Sequence, residues 1–401
     1  MVTLQTAENA LKEVYLGVIA NQLNVATSPL FAKIKQSSSN IFGKEIVKAA
    51  PYGINGGFGA GSETDLLPES SASDYVQLRS TLKNLYGVFE ISDKAVKASA
   101  SNAGSFVNLL SNEMENLVKS CTFNLNRMLY GTGTGLLANI TTVDTVNGNF
   151  VCDTVRNLME GMLVDLYNKD VKACETAIKI TSLDRVNNKF KYDQRWGSDF
   201  VAANRQMYVQ GSKDLELTGI EALFTGDKLY GLNKKDYNWL NAYVDSEEGE
   251  ISDIRIQSAI DFLEENADSQ VNFIATSRAA RRAYQQYLNI YRKNVDIVDI
   301  GNGIKTISHN GIPVYADRFI EEHSMYLLNT DDFTIHQLAD WKWLEDEGGK
   351  VIRQKPGYPT YSATLVKYAE LMCDKPFGQG KISNIKFTVE DPYKTYIPEN
   401  G

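Results

Sequence analysis

The run Leu129-Tyr130-Gly131-Thr132-Gly133-Thr134-Gly135 decides how the rest of the chain is read. Upstream of it, Phe106, Leu109, Leu110, Met114, Leu117, Val118, Cys121, Leu125 and Met128 recur at three- and four-residue spacing on one broad face, which predicts a helix from Asn102 to Tyr130. At 1.5 Å per residue such a helix is on the order of 40 Å long, enough to span a domain. Gly131 stands where helices commonly stop. A Gly-x-Gly-x-Gly run invites a nucleotide-binding reading, but phosphate loops open a helix, where backbone N–H groups and the positive dipole end face the anion. Here the glycines follow a helix, so the order is wrong for phosphate.

On the N-terminal side, Val76, Leu78 and Leu82, then Val88, Phe89 and Ile91, give strand-like runs, and Lys44 to Lys94 reads as a long two-stranded excursion. Its tip is rich in glycine and serine: Gly53, Gly56, Gly57, Gly59 and Gly61 surround Phe58, with Glu63 and Asp65 following. No GxGxxG or Gly-Lys-Ser/Thr is present there, so a mobile loop is preferred to a phosphate cradle, and an excursion of this kind reaches a neighbouring subunit. Before it, Ser28-Pro29 and the serines 37 to 39 make Asn24 to Asn40 an extended arm with little core of its own. Residues Thr6 to Leu23 carry a helical stripe.

On the C-terminal side, Asn139 to Gln270 mixes helical stretches, Val155 to Asn168 and Ile256 to Glu265, with short strands. A buried strand, Val271 to Ala275, leads to a helix from Ser277 to Asn289 bearing Arg278, Arg281 and Arg282, read as subunit or surface ion-pairing groups in preference to nucleic-acid contacts. The last quarter holds strands at Ile312 to Tyr315, Met325 to Leu328, Phe333 to Leu338 and Leu365 to Met372, so the class is α+β with its strands late. Trp341 and Trp343 share one face of a strand ahead of Glu345 and Asp346, and read equally as a partner anchor or as core.

Composition narrows the function. The 401 residues suffice for two or three domains, and a hydrophobic share of 43% with 23% charged residues is that of a folded chain. A net charge of −9 lacks the footprint of a dedicated nucleic-acid binder. Four scattered cysteines, Cys121, Cys152, Cys174 and Cys373, form no CxxC and read as reduced core thiols. Three histidines, His309, His323 and His336, lie in one late segment without metal-ligand spacing, and Asp245, Glu247, Glu248 and Glu250 read as a solvated loop. No GxSxG elbow, P-loop, kinase signature or EF-hand loop occurs, and no signal peptide or run of 18 apolar residues, so the expectation is a non-enzymatic protein of an aqueous, cytosolic compartment with no cofactor, metal or membrane partner.

The element order resembles that of the tailed-phage major capsid protein family, the Hong Kong 97 fold. The segment Tyr86-Gly87-Val88-Phe89-Glu90-Ile91-Ser92-Asp93-Lys94 resembles the family's re-entry of the long hairpin before its spine helix, and Leu129 to Gly135 resembles the turn after it, although Thr132 stands where an Asp is common. Asn272-Phe273-Ile274-Ala275-Thr276-Ser277-Arg278-Ala279-Ala280 is similar to the strand-to-helix step of the axial domain. Gly311-Ile312-Pro313-Val314-Tyr315 and Tyr368 to Asp374 are similar to its later strands.

The resemblance implies an N-terminal arm (1–40), an extended β-hairpin loop (41–98), a peripheral domain with the spine helix (99–140 and 326–365) and an axial domain (141–325 and 366–401). It further implies a major head protein that self-assembles as hexamers and pentamers into the icosahedral or prolate shell of a bacteriophage, formed in the host cytoplasm and carried in the virion. Its partners would be further copies of itself, a portal protein, decoration proteins and packaged double-stranded DNA held without sequence-specific contacts; net acidity suits that last relation. Relatives with an N-terminal scaffolding segment carry it ahead of the arm, where this sequence has only about 25 residues, so a separate scaffolding protein is expected. Relatives that cross-link Lys to Asn need an Asn that Asp340 to Pro356 lacks, so the shell is expected to be non-covalent. Gly56, Gly57, Phe58, Gly59, Gly61, the three arginines, both tryptophans, Glu345 and Asp346 are the interface candidates. The competing readings are an encapsulin-like nanocompartment shell and a nucleotide-using enzyme.

Overall fold

The computed structural model describes residues 28–52, 57–63, 69, 74–99, 103–144, 149–168, 173–192, 205–291, 297–300 and 304–387. The helix expected over Thr6 to Leu23 lies outside them.

Ser28-Pro29 starts a helix. Proline holds Ser28 extended (φ −159°, ψ 152°), and from there its hydroxyl accepts the N–H groups of Leu30 and Phe31 at 3.1 and 3.3 Å, with Pro29 at the first position of the helix Pro29–Lys33. Leu30, Phe31 and Ile34 are buried, and Lys35–Ser37 runs parallel to the strand Phe333–Trp343. The described part of the expected arm is thus built into the body, which corrects the reading of an arm without core.

The hairpin is present. Glu45–Tyr52 and Asp74–Thr81 pair antiparallel from Glu45↔Thr81 to Tyr52↔Asp74, and Ile41–Phe42 adds a short third strand. The chain then returns as Lys83–Ser92, antiparallel to Thr360–Cys373, which also pairs with Phe333–Trp343 and Arg353–Gln354. Along Lys83–Ser92 alternation turns Leu85, Gly87, Phe89 and Ile91 inward. The helix Ala103–Leu129 packs against that face. At Gly87 the fit is tight, since a Cβ there would stand 2.8 Å from Cys121 Sγ and 3.0 Å from Leu117 Cδ1.

Beyond the helix stands a closed six-stranded barrel, in the order Lys189–Tyr192, Asn149–Cys152, Leu136–Asp144, Arg205–Val209, Leu163–Asn168, Ala173–Asp184. Ile140, Phe150, Val164, Leu166, Ile180 and Phe190 are buried, with the Phe150 and Phe190 rings 5.0 Å apart. The helix expected over Val155 to Asn168 is absent. Val155, Leu158, Met159, Met162 and Leu166 do keep helical spacing, but Gly161 takes a left-handed φ of +87° and the strand Leu163–Asn168 follows.

A seven-stranded sheet completes the chain, in the order Tyr243–Asp245, Gly380–Ile382, Met325–Leu328, Phe273–Thr276, Ile312–Ala316, Lys305–His309, Ile297–Asp299. The helices Asp253–Ala267 and Arg278–Ile290 pack on it, burying Ile256, Ile260, Leu263 and Tyr284 against Ile274, Val314 and Leu327. The division expected from sequence is displaced in three places. The strand Thr360–Cys373 runs unbroken through 365/366, Met325–Leu328 belongs wholly to the seven-stranded sheet, and 140/141 falls inside a barrel strand.

Candidate assembly surfaces

The Gly-Thr-Gly-Thr-Gly run has a structural reason for its glycines. Gly131 is not left-handed; Gly133 and Gly135 are, at φ +87° and +79°. The turn packs on the segment 212–219, where a Cβ on Gly135 would stand 2.9 Å from the Ser212 carbonyl oxygen. The Ile220 N–H donates to the Leu129 carbonyl at 2.8 Å, closing one orphan acceptor at the helix end. Gly219 passes so near that a Cβ there would lie 2.3 Å from the Met128 oxygen and 2.6 Å from that of Gly131. Beside it Arg127 and Glu216 form a bidentate pair at 2.8 and 2.5 Å, both side chains almost wholly buried. The space beside these glycines is filled by protein, which leaves the nucleotide reading no room.

The hairpin is moored to the body at its base. The Arg79 N–H donates to the Tyr230 carbonyl at 3.0 Å, the Tyr230 hydroxyl accepts from the Cys373 N–H at 2.8 Å, and Lys48 meets Asp374 at 2.5 Å. Tyr230-Gly231, with φ +49° and +82°, is the tight turn between Lys228–Leu229 and Leu232–Asn233. Glu370 sits beneath, accepting from the Thr218 and Leu371 N–H groups at 2.7 and 3.0 Å, with the Ser80 hydroxyl at 3.4 Å. Burial pushes its carboxyl up to about 7 against the pull of those donors and of Lys83. A depression of about 250 Å³ lined by Glu45, Ser80, Thr218 and Tyr230 opens beside it, too shallow to enclose a ligand.

The interface candidates separate. Gly57, Phe58, Gly59 and Gly61 are exposed on the hairpin crown, Phe58 at 99%, while Gly56 lies outside the described residues. Trp341 and Trp343 are not partner anchors: both are buried, Trp343 edge-on to Phe89 at 5.9 Å and Trp341 beneath the Lys367 ammonium at 5.7 Å. Alternation had put them on one face, and that face is the inner one. Glu345 and Asp346 stand in an exposed turn, where Asp346 accepts from the Gly348 and Lys350 N–H groups at 2.9 and 2.7 Å, bonds that hold its carboxyl below the usual range. Arg278 is exposed and Arg281 and Arg282 are half-buried, on a helix whose cap Ser277 accepts from the Ala280 N–H at 3.0 Å.

The remaining chemistry-bearing groups are dispersed. His309 bonds Tyr284 at 3.0 Å, His323 the Ile385 carbonyl at 2.8 Å and His336 that of Ser39 at 3.0 Å. Asp245 pairs with Arg255 at 2.7 Å and Glu248 with Lys386 at 3.2 Å. Among the described residues no group of three or more His, Cys, Asp or Glu is placed to hold a metal, and no helix is long and apolar enough to cross a membrane. Cys121, Cys152 and Cys373 are free, and burial pushes the thiols of the first two up to about 12. The sequence reading missed two features, the barrel and the buried Arg127–Glu216 pair. Alternation in 136–144 and 163–168 was the available signal for the first, and nothing local marks the second.

No family model matches the sequence, and no curated protein does. Solved structures do. The cyanophage A-1(L) capsid asymmetric unit is similar with a TM-score of 0.52 at 12% identity, covering 92% of this chain and 93% of that one. The holo-SrpI encapsulin complex from Synechococcus elongatus PCC 7942 follows with a TM-score of 0.46 at 9% identity, over 94% and 98% of the two chains. The satellite phage P4 procapsid, which includes the size determination (Sid) protein, is matched at 0.43 and 10% identity, over 92% and 99%. The likeness to the cyanophage subunit takes in nearly the whole of both chains, and at such identity it speaks of architecture: the chain has the α+β Hong Kong 97 fold of tailed-phage major capsid proteins.

Proposed function

We propose that this chain is the major head protein of a tailed bacteriophage, a structural subunit without catalytic activity that assembles as hexamers and pentamers around double-stranded DNA. The observation that carries the reading is the near end-to-end likeness to a phage capsid subunit, in a chain that also holds out a hairpin with a bare aromatic crown. In this reading the hairpin is the extended loop, and Ala103–Leu129 with the sheet around Thr360–Cys373 is the peripheral domain. The seven-stranded sheet with its two helices faces the symmetry axes. A closed shell needs heterologous contacts whose rotation closes, and hinged, glycine-rich extensions let one contact serve both pentamer and hexamer. A separate scaffolding protein, a portal and decoration proteins are the proposed partners, the virion the proposed location, and the contacts between copies are non-covalent.

Electron microscopy of the purified full chain, with light-scattering mass, tests this. Closed shells or capsomer-sized rings are expected, with uniform shells only when the scaffolding protein is present. A stable monomer or dimer under every assembly condition would overturn the proposal. A co-purified cargo enzyme in place of DNA would transfer it to the encapsulin class.

A further inference from the structure

We infer that Glu370 is a proton-operated latch for the hairpin: as a neutral carboxylic acid it seats the base of the hairpin on the body, and on giving up its proton it favours a lifted base. The latch belongs to the single subunit and does not depend on the shell-forming reading; in an assembling chain it makes the hairpin's hold on the body a function of acidity.

The geometry of the carboxyl is that of an acid. Glu370 is wholly buried and bridges three elements: its own strand Thr360–Cys373, the segment 212–219 and the hairpin strand Asp74–Thr81. Its two oxygens are used unequally. Oε1 takes both main-chain donors, the Thr218 N–H at 2.7 Å and the Leu371 N–H at 3.0 Å. Oε2 meets only hydroxyls, those of Ser80 and Thr218, each at 3.4 Å. A hydroxyl can accept where an N–H cannot, so Oε1 is placed as the carbonyl and Oε2 as the O–H of a neutral acid. No cation is set against it: among the described residues Glu370 forms no ion pair. Lys83 pulls the carboxyl down from a distance but turns its ammonium to the Asp214 carbonyl at 3.5 Å. Of the hairpin's charges, Lys48 is taken by Asp374 at 2.5 Å and Arg79 by the Gln77 side chain at 2.7 Å, while Glu45 lines the nearby depression. His336 stands opposite Glu370 on the neighbouring strand; its Nδ1 meets the Ser39 carbonyl at 3.0 Å, its Nε2 has no partner, and burial, then Lys48, hold it below its ordinary range, so it brings no positive charge near pH 7. Burial raises the Tyr230 hydroxyl, which stays un-ionised.

An ionised carboxylate without a counter-ion has to be hydrated. The way in for water is the depression beside it, walled by Ser80 and Thr81 of the hairpin on one side and by Thr218, Tyr230 and Gly231 of the body on the other. Reaching Oε2 from there parts the Ser80 wall from the Thr218 wall. That lifts the strand Asp74–Thr81 and breaks its bond to the body, the Arg79 N–H donating to the Tyr230 carbonyl at 3.0 Å. Ile46 and Leu78, buried beneath the same base, keep the seated state dominant, so the proton sets the population of a minor, lifted state.

Hydrogen exchange of the full chain, read amide by amide and corrected for the intrinsic pH dependence of exchange, tests this. A carboxyl raised in the seated state favours that state fully below about pH 4.5 and loses the effect as pH rises through about 7. Protection of the Arg79 and Thr218 N–H groups in the wild type should therefore fall more than about tenfold between pH 5 and 8. In Glu370→Gln, whose amide carbonyl keeps both N–H bonds, it should change by less than about twofold. The N–H groups of Phe273–Thr276, a strand paired on both sides, report global unfolding and should stay better protected than Arg79 at every pH. Should the glutamine variant fail to fold, Ser80→Ala removes the hairpin's side-chain contact with the carboxyl, and Arg79 protection at pH 5 should drop about fivefold, the scale of one hydrogen bond. A wild-type profile flat with pH, a fall that persists in Glu370→Gln, or an unchanged Arg79 in Ser80→Ala overturns the latch. So does loss of Arg79 protection only in step with Phe273–Thr276, which makes the carboxyl a support of the whole fold. None of these outcomes bears on whether the chain forms shells.

Discussion

Gly219 is glycine because three carbonyl oxygens at the end of the long helix converge on it. Gly219→Ala must push the segment 216–220 away from the helix end, and should cost about 1–3 kcal/mol or more in denaturant unfolding of the subunit. Gly61→Ala, where a Cβ meets nothing within 4 Å, should be neutral in the same measurement. Glu370 makes a different prediction. Its carboxyl is raised from an ordinary 4.5 to about 7, so the folded chain holds a proton there that the unfolded chain gives up over that interval. The contribution to stability is therefore full below about pH 4.5 and is lost as pH rises through 7, by up to about 3 kcal/mol. Glu370→Gln should remove this slope, read as the difference between the two proteins' unfolding midpoints from pH 5 to 8. Its amide can stand where Oε2 meets the Ser80 and Thr218 hydroxyls, which rotate to accept. A difference that grows more favourable to wild type as pH rises would reject the assignment.

At the scale of elements, legibility followed the reach of the signal. The long helix, the hairpin, the strand-to-helix step at Ser277 and the strand Met325–Leu328 were readable because period and cap are local. Inner and outer faces were not. Trp341 and Trp343 alternate correctly, but which face is inner depends on Phe89, some 250 residues away in sequence, packing against Trp343. Trp343→Ala should therefore cost on the order of 3–5 kcal/mol in the unassembled subunit, the loss of a buried aromatic, and an effect seen only on assembly would contradict a core role. The segment 155–168 was misread because a helical spacing of apolar residues arises there by coincidence of a turn followed by a half-buried strand. Ser28-Pro29 gave the extended residue correctly; the helix it caps depends on burial of Leu30 and Phe31 beneath elements late in sequence. The crown of the hairpin was legible as an interface candidate from the glycines gathered about Phe58.

For the whole molecule, the moorings described for the hairpin, at Arg79 and Lys48, lie outside residues 53–73. Replacing residues 53–73 by a short glycine linker should leave the thermal unfolding of the subunit within about 0.5 kcal/mol of wild type, as for surface changes, while closed shells are lost. Loss of folding with loss of shells would place the crown in the subunit's own core instead. The barrel invites another kind of use. Its first and last segments, Leu136–Asp144 and Arg205–Val209, are hydrogen-bonded neighbours, with Leu136 facing Tyr208, so the chain leaves the end of the long helix and comes back about one strand spacing away. It is an interchangeable cassette: a foreign domain with adjacent termini, spliced between Gly135 and Gly211, would inherit an anchorage already gripped by Gly133, Gly135 and Gly219. Repeated on every copy, such a graft would turn the assembly into a dense, regularly spaced display lattice.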